Sequence, residues 1–215
     1  LLSFPSDRIA NCSVGVDNKF MSCAKSGEKL HELREYGIKR EFIFYIGGFD
    51  FRKNVRSLVE AFSLLPAELR KKYQLVIIVT SAESTIAHFA YAFCTHFKLS
   101  SDEVIFINYV PEDKLIILYS LCSLFVFPSL HEGFGLPIIE AMACGAPVIS
   151  SNVSSMPEAT GCPEALFDPK TPQTIAKKIT EVLTNKDFQN FLKEHGEKHA
   201  KKFTWEKTTD KYIEL

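Results

Sequence analysis

The sequence lacks a surplus of either charge: 25 Lys and Arg residues are balanced by 26 Asp and Glu, for a formal net charge of -1 over 215 residues. A dedicated nucleic-acid-binding surface needs basic residues in excess, so no nucleic-acid partner is expected. Hydrophobic residues make up 46% and charged residues 24%, which is globular composition and excludes disordered, collagen-like and coiled-coil chains. A chain of this length can bury a substantial core.

Long hydrophobic runs are also missing. The longest apolar stretch, residues 115–130, contains Ser120, Ser123 and Pro128 and is shorter than the roughly 20 residues that span a membrane. No basic segment followed by an apolar run opens the chain, so the sequence predicts no signal peptide. Because the first residue is Leu1 rather than Met, we expect a piece of a longer protein.

The cysteines follow no C-x-x-C pattern and stand among apolar or small residues. They are Cys12, Cys23, Cys94, Cys122, Cys144 and Cys162. This scatter predicts reduced thiols in a reducing compartment, and hence a cytoplasmic location, with a disulfide framework as the alternative.

Six short apolar runs alternate with helical patterns along the chain. They are rich in β-branched and aromatic residues and apolar on both faces, as in parallel strands covered by helices. The predicted strands are 41–46, 75–79, 104–107, 124–127, 147–149 and 165–167. Six β-α units in one run predict an α/β fold with a doubly wound, Rossmann-like parallel sheet.

Apolar residues at helical spacing predict the elements between these strands. The predicted helices are 55–65, 86–97, 111–121, 136–144, 172–183, 187–203 and 205–215. The first forty residues carry only a weak strand at 9–16 and a short helix at 28–36. We therefore assign 1–40 to an N-terminal connecting segment and 41–215 to one domain.

The turn after the fourth predicted strand, residues 129–137, is the clearest candidate site. Ligands of open parallel sheets bind beyond the carboxyl ends of the strands. Here Gly133 and Gly135 lead into a helix that starts near Pro137, an arrangement whose free N–H groups suit phosphate. A tight turn that only packs is the alternative. Ile138 replaces the third glycine of the dinucleotide fingerprint, and no P-loop pattern exists in the chain.

Two carboxylates, Glu132 and Glu140, bracket this turn. A carboxylate beside an anion site suggests recognition of hydroxyl groups, because it can accept bonds from both hydroxyls of a ribose or hexose diol. For Glu140 the alternative is a glutamate favoured by the helix dipole in the first turn.

The turn after the first predicted strand adds two cations. Gly47 and Gly48 free the backbone, and Arg52 and Lys53 then stand at the start of a helix, where the dipole disfavours positive charge. This placement predicts a bound counter-anion such as a diphosphate, with solvated surface cations as the alternative.

Together these segments resemble the C-terminal, donor-binding half of a GT-B glycosyltransferase of family 4. Residues 132–140, E-G-F-G-L-P-I-I-E, match the E-x7-E motif of the family, and 141–149 are also typical of it. The glycines at 47–48 with Arg52-Lys53-Asn54 resemble its first phosphate loop, and 154–158 and 166–169 resemble later segments.

The resemblance implies a site for a nucleotide sugar. It implies catalytic roles for Arg52, Lys53 and Glu132, with both cations on the diphosphate and Glu132 on the sugar hydroxyls. It implies that Glu140 binds the ribose. The other donor-binding residues that it implies are Gly47, Gly48, Gly133, Phe134, Gly135 and Leu136 around the diphosphate, and Tyr109 and Val110 along the base. Many members have Arg where this chain has Gly48, so Arg52 is expected to take part of that role.

The implied reaction is a retaining transfer through an oxocarbenium-like state, helped by fixed donors that meet charge growing on the leaving diphosphate. The two cations and the helix N-terminus would be these donors. The chain also has no D-x-D motif, so no metal or other cofactor is expected. His195 and His199 have a spacing that could bind metal, but no third ligand is evident.

The resemblance implies a hexosyltransferase whose partners are a GDP- or UDP-linked sugar and an N-terminal, acceptor-binding half. GDP-mannose is favoured because 47–54 and 154–158 resemble mannosyltransferase-like members; UDP-glucose and UDP-N-acetylglucosamine stay open, as does peripheral membrane contact through the other half. The family's acceptor site lies in that half, so the chain alone is expected to transfer no sugar. The alternatives are a nucleotide-sugar epimerase and a non-catalytic nucleotide-sugar-binding module.

Overall fold

The apolar runs of the sequence form a six-stranded parallel sheet in the computed structural model, which describes residues 14–21 and 27–214. The strands are β1 (Glu41–Gly47), β2 (Tyr73–Val79), β3 (Val104–Ile107), β4 (Leu124–Phe127), β5 (Val148–Ser151) and β6 (Leu166–Phe167). Neighbouring strands are parallel in the order β3-β2-β1-β4-β5-β6. This is the doubly wound order, so the predicted Rossmann-like α/β fold is confirmed.

Helices connect the strands and cover the sheet. They are α1 (Asn18–Met21), α2 (Val55–Ser63), α3 (Ala67–Lys72), α4 (Glu83–Phe97), α5 (Glu112–Leu121), α6 (Leu136–Ala143), α7 (Met156–Thr160), α8 (Pro172–Thr184), α9 (Lys186–Ala200) and α10 (Trp205–Ile213). Turns of 3₁₀ helix span Gly27–Tyr36, Phe51–Lys53 and Pro163–Ala165.

The predicted ends of the elements agree best with the structure for the strands, whose residues are buried in a continuous run. All six strands lie within two residues of their predicted ends. The helix predicted at 55–65 ends at Ser63, because Pro66 follows closely and disfavours helical backbone before it. Helices α1, α3 and α7 were not predicted: each is a short element of four to six residues, and α3 buries none of its side chains.

The chain before β1 joins the same core as the sheet. Leu33 and Ile38 are fully buried, and the predicted helix at 28–36 is a 3₁₀ helix. Of the predicted strand at 9–16, only Val16 is seen pairing, in a single bridge with Thr204; residues 9–13 lie outside the described part of the chain.

Burial of both sheet faces explains why the strands read as continuous apolar runs. Phe42, Ile43, Phe44 and Tyr45 of β1 are all completely buried, as expected for a parallel sheet covered on each side. Among the described cysteines, Cys94, Cys122 and Cys162 are free thiols. Within residues 14–21 and 27–214, none of the helices has the length and apolar character needed to cross a bilayer.

Candidate functional site

The candidate site lies where the strand order reverses, between β1 and β4. These two strands are neighbours, with Phe44 paired to Phe125, so their carboxyl ends open on the same edge of the sheet. The loop after β1, residues 48–54, and the loop after β4, residues 128–135, therefore begin side by side. A crevice at such a reversal point is where open α/β sheets bind ligands.

Direct hydrogen bonds tie the two loops together. The Leu130 N–H donates to the carbonyl of Arg52 at 2.7 Å. The Asn54 amide donates to the carbonyls of Pro128 at 3.1 Å and Pro169 at 2.8 Å, so one side chain joins the loops after β1, β4 and β6. Asn54 adopts a left-handed backbone, φ 56°, a conformation that Asn tolerates better than most residues. Asn54 belongs to the segment that resembles the first phosphate loop of the family, but the sequence predicts no role for its side chain.

Lys53 and Glu132 meet across this junction. Lys53 Nζ lies 2.8 Å from Glu132 Oε1, and the two side chains are only 27% and 15% exposed. The same ammonium lies 5.9 Å from the ring centroid of Phe127, the last residue of β4. Two residues that are 79 positions apart and that the sequence placed in one site are therefore in contact.

Arg52 stands on the same loop but has a different partner. Its Nε and its backbone N–H both donate to Asp50 Oδ1 at 2.9 Å. These hydrogen bonds lower the pKa of the exposed Asp50 carboxyl and raise the pKa of the Arg52 guanidinium, to which the charge of Glu132 also contributes. The Arg52 side chain is 59% exposed and is held beside Asp50 on the outer side of the loop.

The loop after β4 turns into α6 at Gly135. Gly135 has φ 105° and caps the helix, with Pro137 in the first turn. A side chain there would be strained, and its Cβ would crowd Ile138 at 3.2 Å, so the backbone requires glycine. At Gly133 a Cβ would meet nothing within 4 Å, so crowding within the protein does not require glycine there.

Two serines hold the main chain of Glu132. The Ser154 and Ser155 hydroxyls donate to the Glu132 carbonyl at 3.0 and 3.1 Å, and the Glu132 N–H lies 3.3 Å from Ser154 Oγ. The two serines belong to the segment 154–158, which resembles the family, but their contact with Glu132 was not predicted. The available signal was their place directly after β5, at the same sheet edge as the candidate site.

Glu140 lies apart from the Lys53–Glu132 pair. Its Oε2 accepts a hydrogen bond from the Tyr119 hydroxyl on α5 at 2.9 Å. Burial raises the pKa of Glu140, although the Tyr119 hydrogen bond acts in the opposite direction. Glu140 is the fifth residue of α6, and the first turn of that helix holds no acidic residue. The alternative of a first-turn glutamate favoured by the dipole is therefore wrong.

The segment predicted to run along a base follows β3 on the same sheet edge. Tyr109 is 70% exposed, whereas Val110 is buried. The Asn108 side chain accepts a hydrogen bond from the Ser81 N–H at 3.2 Å, which joins this segment to the loop after β2. The edge thus offers an exposed aromatic ring on a fixed backbone.

A buried tyrosine lies beneath the first loop and was not identified from the sequence. A Cβ on Gly47 would collide with the Tyr45 hydroxyl and ring, so Gly47 leaves room for that side chain. The Tyr45 ring stacks on Phe127 at 6.4 Å. Its hydroxyl is buried without a hydrogen-bond partner in the described part of the chain, and burial raises its pKa.

His195 and His199 are engaged with the main chain. Their rings stack at 5.3 Å on α9, and their Nε2 atoms lie 2.9 Å from the Thr160 carbonyl and 3.3 Å from the Glu158 carbonyl. Across residues 14–21 and 27–214, no group of three or more His, Cys, Asp or Glu side chains could hold a metal ion.

These features define a class of protein, namely a Rossmann-like domain with a candidate site for phosphate and hydroxyl groups. The parallel sheet reverses its strand order between β1 and β4, and a glycine turn and a Lys–Glu pair lie at that point. A comparison with models of protein families agrees with this class. Residues 28–199 match the family described as "Glycosyl transferases group 1". The chain belongs to this family.

Two similar proteins are named mannosyltransferases of Escherichia coli. The serotype-specific mannosyltransferase WbdA of Escherichia coli is 39% identical over 210 residues, which cover 97% of this chain and 26% of WbdA. The O-antigen chain mannosyltransferase B of Escherichia coli is 33% identical over 228 residues, which cover 99% of this chain and 55% of that protein. The chain thus spans about a quarter to a half of the length of these relatives.

Solved structures share the fold. Sucrose-phosphate synthase from Thermosynechococcus elongatus superposes with a TM-score of 0.79 at 26% identity, covering 94% of this chain and 50% of that one. Anabaena HepE, solved in complex with UDP, gives a TM-score of 0.78 at 18% identity, covering 93% of this chain and 55% of that one. Both superpositions agree with the predicted Rossmann-like α/β fold.

Proposed function

We propose that this chain forms the donor-binding half of a retaining glycosyltransferase, which transfers a hexose from a nucleotide sugar. The observation that carries the proposal is the contact between Lys53 and Glu132 at 2.8 Å, at the reversal point of the sheet and beside the start of α6. The pair brings a group that binds phosphate and a group that binds hydroxyls to the junction of two loops.

The diphosphate would bind between the two loops. Lys53 and the main-chain N–H groups of Phe134, Gly135 and Leu136, where α6 begins, would contact its oxygens, since a helix N-terminus favours anions. These fixed donors would stabilise the charge that grows on the leaving nucleoside diphosphate. Arg52 would join them by leaving Asp50, because an ion pair between solvent-exposed side chains is weak.

Glu132 would bind the hydroxyls of the transferred sugar once the diphosphate competes for Lys53. Its main chain is fixed by Ser154 and Ser155, so the backbone beneath the carboxylate stays in place while the side chain changes partner. The favoured sugar is mannose, carried as GDP-mannose, because the two relatives described above are named mannosyltransferases.

A thermal-shift panel with GDP, UDP, ADP and their sugars tests the proposal. A ligand that binds only the folded protein raises its Tm by mass action, by an amount that grows with concentration. We expect the largest shift with GDP and GDP-mannose, unchanged by EDTA. A Tm that is insensitive to every nucleotide at millimolar concentration would overturn the proposal.

A transfer assay with the chain alone separates donor binding from catalysis. We expect binding without release of GDP from GDP-mannose, in the presence or absence of oligomannose acceptors, because the family's acceptor site lies in another half. Measurable transfer by this chain would contradict the two-half interpretation. Formation of an epimerised sugar nucleotide would instead identify an epimerase.

A further inference from the structure

Tyr119 has a polar group in an otherwise apolar environment. It lies on α5 with no exposed surface, and its ring meets Phe20, Phe44 and Phe125 edge-on at centroid distances of 6.2, 5.3 and 5.4 Å. A buried phenol needs a hydrogen-bond partner, because an unpaired polar group is costly inside a protein. Glu140 Oε2 at 2.9 Å is that partner.

The direction of this hydrogen bond is fixed by chemistry. An ionised carboxylate only accepts, so the phenol must donate. Burial raises the pKa of Tyr119 well above its ordinary value, so the phenol keeps its proton. The bond favours the ionised form of Glu140 against the effect of burial. Tyr119 thus opposes the effect of burial on the pKa of Glu140 and restricts the orientation of its carboxylate.

Two further charged groups act on Glu140 from neighbouring elements. Glu112, at the start of α5, raises its pKa, whereas Lys19, on α1, lowers it. Lys19 and Glu112 form an ion pair with each other at 2.6 Å, and their effects on the pKa of Glu140 are opposite in sign and smaller than that of Tyr119. Tyr119 is therefore the neighbour that most strongly favours ionised Glu140.

We propose that Tyr119 is a positioning residue for recognition of the ribose, acting through Glu140. The phenol occupies Oε2 and leaves Oε1 as the acceptor for a ribose hydroxyl of the bound nucleotide. This inference rests on the proposed function and on the ribose role that the family resemblance implies for Glu140. It specifies that the site discriminates ribonucleotides from 2′-deoxyribonucleotides and that the discrimination depends on a side chain buried in the core.

Calorimetry with Tyr119→Phe tests the proposal, using GDP and 2′-deoxy-GDP as probes, and UDP and 2′-deoxy-UDP in parallel. We expect the unaltered chain to prefer the ribonucleotide by about tenfold, the weight of a hydrogen bond to a charged group. In Tyr119→Phe this preference falls to about twofold. Tyr73→Phe is the matched control, since Tyr73 is also buried but begins β2 at the opposite sheet edge, and it keeps the tenfold preference.

An unchanged preference in a folded Tyr119→Phe protein would overturn the proposal. The pH profile supplies a second test that a merely structural role would not move. Ribonucleotide affinity should fall as pH drops through the pKa of Glu140, and in Tyr119→Phe the fall should occur at a higher pH. Comparison with Tyr73→Phe removes the titration of the phosphate itself, because the nucleotide is the same.

Two further measurements decide the remaining cases. If Tyr119→Phe does not fold, Glu140→Gln keeps an acceptor for the phenol but cannot ionise, and we expect it to lose the ribose preference; a retained preference overturns the proposal. If the unaltered chain binds no nucleotide, the proposed function fails together with the ribose role. A carboxyl NMR titration of Glu140 without ligand would then still show whether Tyr119→Phe raises its pKa.

Discussion

Two glutamates, eight residues apart on one loop and helix, are held in opposite ways. Glu132 is paired with the charged ammonium of Lys53, whereas Glu140 is held by the neutral hydroxyl of Tyr119. An anion can compete with a carboxylate for a lysine, but it cannot compete for the acceptor position on Glu140. Under the proposed function, a diphosphate would displace the partner of Glu132, whereas Glu140 would keep its hydrogen bond to Tyr119.

This contrast assigns different sensitivities to the two ends of the site. We call the residues around Lys53 and Glu132 the phosphate end, and those around Glu140 and Tyr119 the ribose end. Charge pairing makes the phosphate end responsive to salt, because ions screen partly exposed charges. Burial makes the ribose end responsive to pH, because it raises the pKa of Glu140.

The largest expected effect comes from removing the cation of the phosphate end. Lys53→Ala should weaken nucleoside diphosphate binding about 10- to 150-fold, because a charge-assisted hydrogen bond contributes about 1.5–3 kcal/mol. Lys72→Ala is the matched control, since Lys72 also pairs with a glutamate, Glu41, but at the amino end of β1. Calorimetry that gives equal affinities for both variants would remove Lys53 from the site.

A pair of substitutions compares the two ends directly. Glu140→Ala should weaken binding of GDP and GDP-mannose alike, by about tenfold, because both carry the ribose. Glu132→Ala should weaken only GDP-mannose and leave GDP unchanged or tighter, because Lys53 is released from its ion pair. If Glu140→Ala affects only the sugar nucleotide, the assignment of Glu140 to the ribose is wrong.

The fold was predictable because its signals are local. Each parallel strand is buried on both faces, so it reads as an apolar run whatever its partners are. The turn at Gly135 was also predictable, because its φ of 105° is a conformation that favours glycine and depends only on the local backbone. Helices α1, α3 and α7 were missed because four to six residues carry too little periodicity to be recognised.

The position of Lys53 and Glu132 at one sheet edge was predictable from the sequence, but the pairing of their side chains was not. Lys53 and Glu132 were each placed at the ligand-binding edge, but the hydrogen bonds of Tyr119 and Asn54 join residues distant in sequence. No local pattern encodes such a contact, because it depends on how α5 packs against α6 and how three loops converge. Tyr45 was missed for the same reason, since its importance follows from the space that Gly47 leaves.

The stability of the ribose end should depend on pH with a definite sign. Because the pKa of Glu140 is raised in the folded state, the ionised carboxylate destabilises the folded protein. This destabilisation is complete at a pH above the folded-state pKa and absent at a pH below the unfolded-state pKa of about 4.3. Glu140→Gln should therefore have a higher Tm than the unaltered chain at pH 8, and the difference should shrink towards pH 4.

Glu206→Gln provides a control of opposite sign for this pH dependence. The pKa of Glu206 is lowered by backbone and side-chain hydrogen bonds at the start of α10, so its ionised form favours folding. Glu206→Gln should have a lower Tm than the unaltered chain at pH 8, and this deficit should vanish in acid. Differential scanning fluorimetry from pH 4 to 8 follows both variants, and a Tm advantage of Glu140→Gln that grows in acid would contradict the argument.

The tyrosines beneath the two ends offer a comparison of stability. Tyr119→Phe removes a paired hydroxyl and leaves Glu140 without its donor, so it should lower the stability by about 1–3 kcal/mol. Tyr45→Phe removes a hydroxyl that has no partner in the described part of the chain, so the free energy of unfolding should stay unchanged or rise. Urea unfolding of the two variants measures the difference, and equal losses would show that Tyr45 also forms a hydrogen bond.

The same Tyr45 substitution should relieve a clash at the phosphate end. Gly47→Ala alone should destabilise the protein, because the new methyl group would meet the Tyr45 hydroxyl and ring carbons. Adding Tyr45→Phe removes the hydroxyl but keeps the ring, so the double variant should recover part of the lost stability. A double variant no more stable than Gly47→Ala would mean that the glycine is required for another reason, namely close approach of a ligand or of the neighbouring loop.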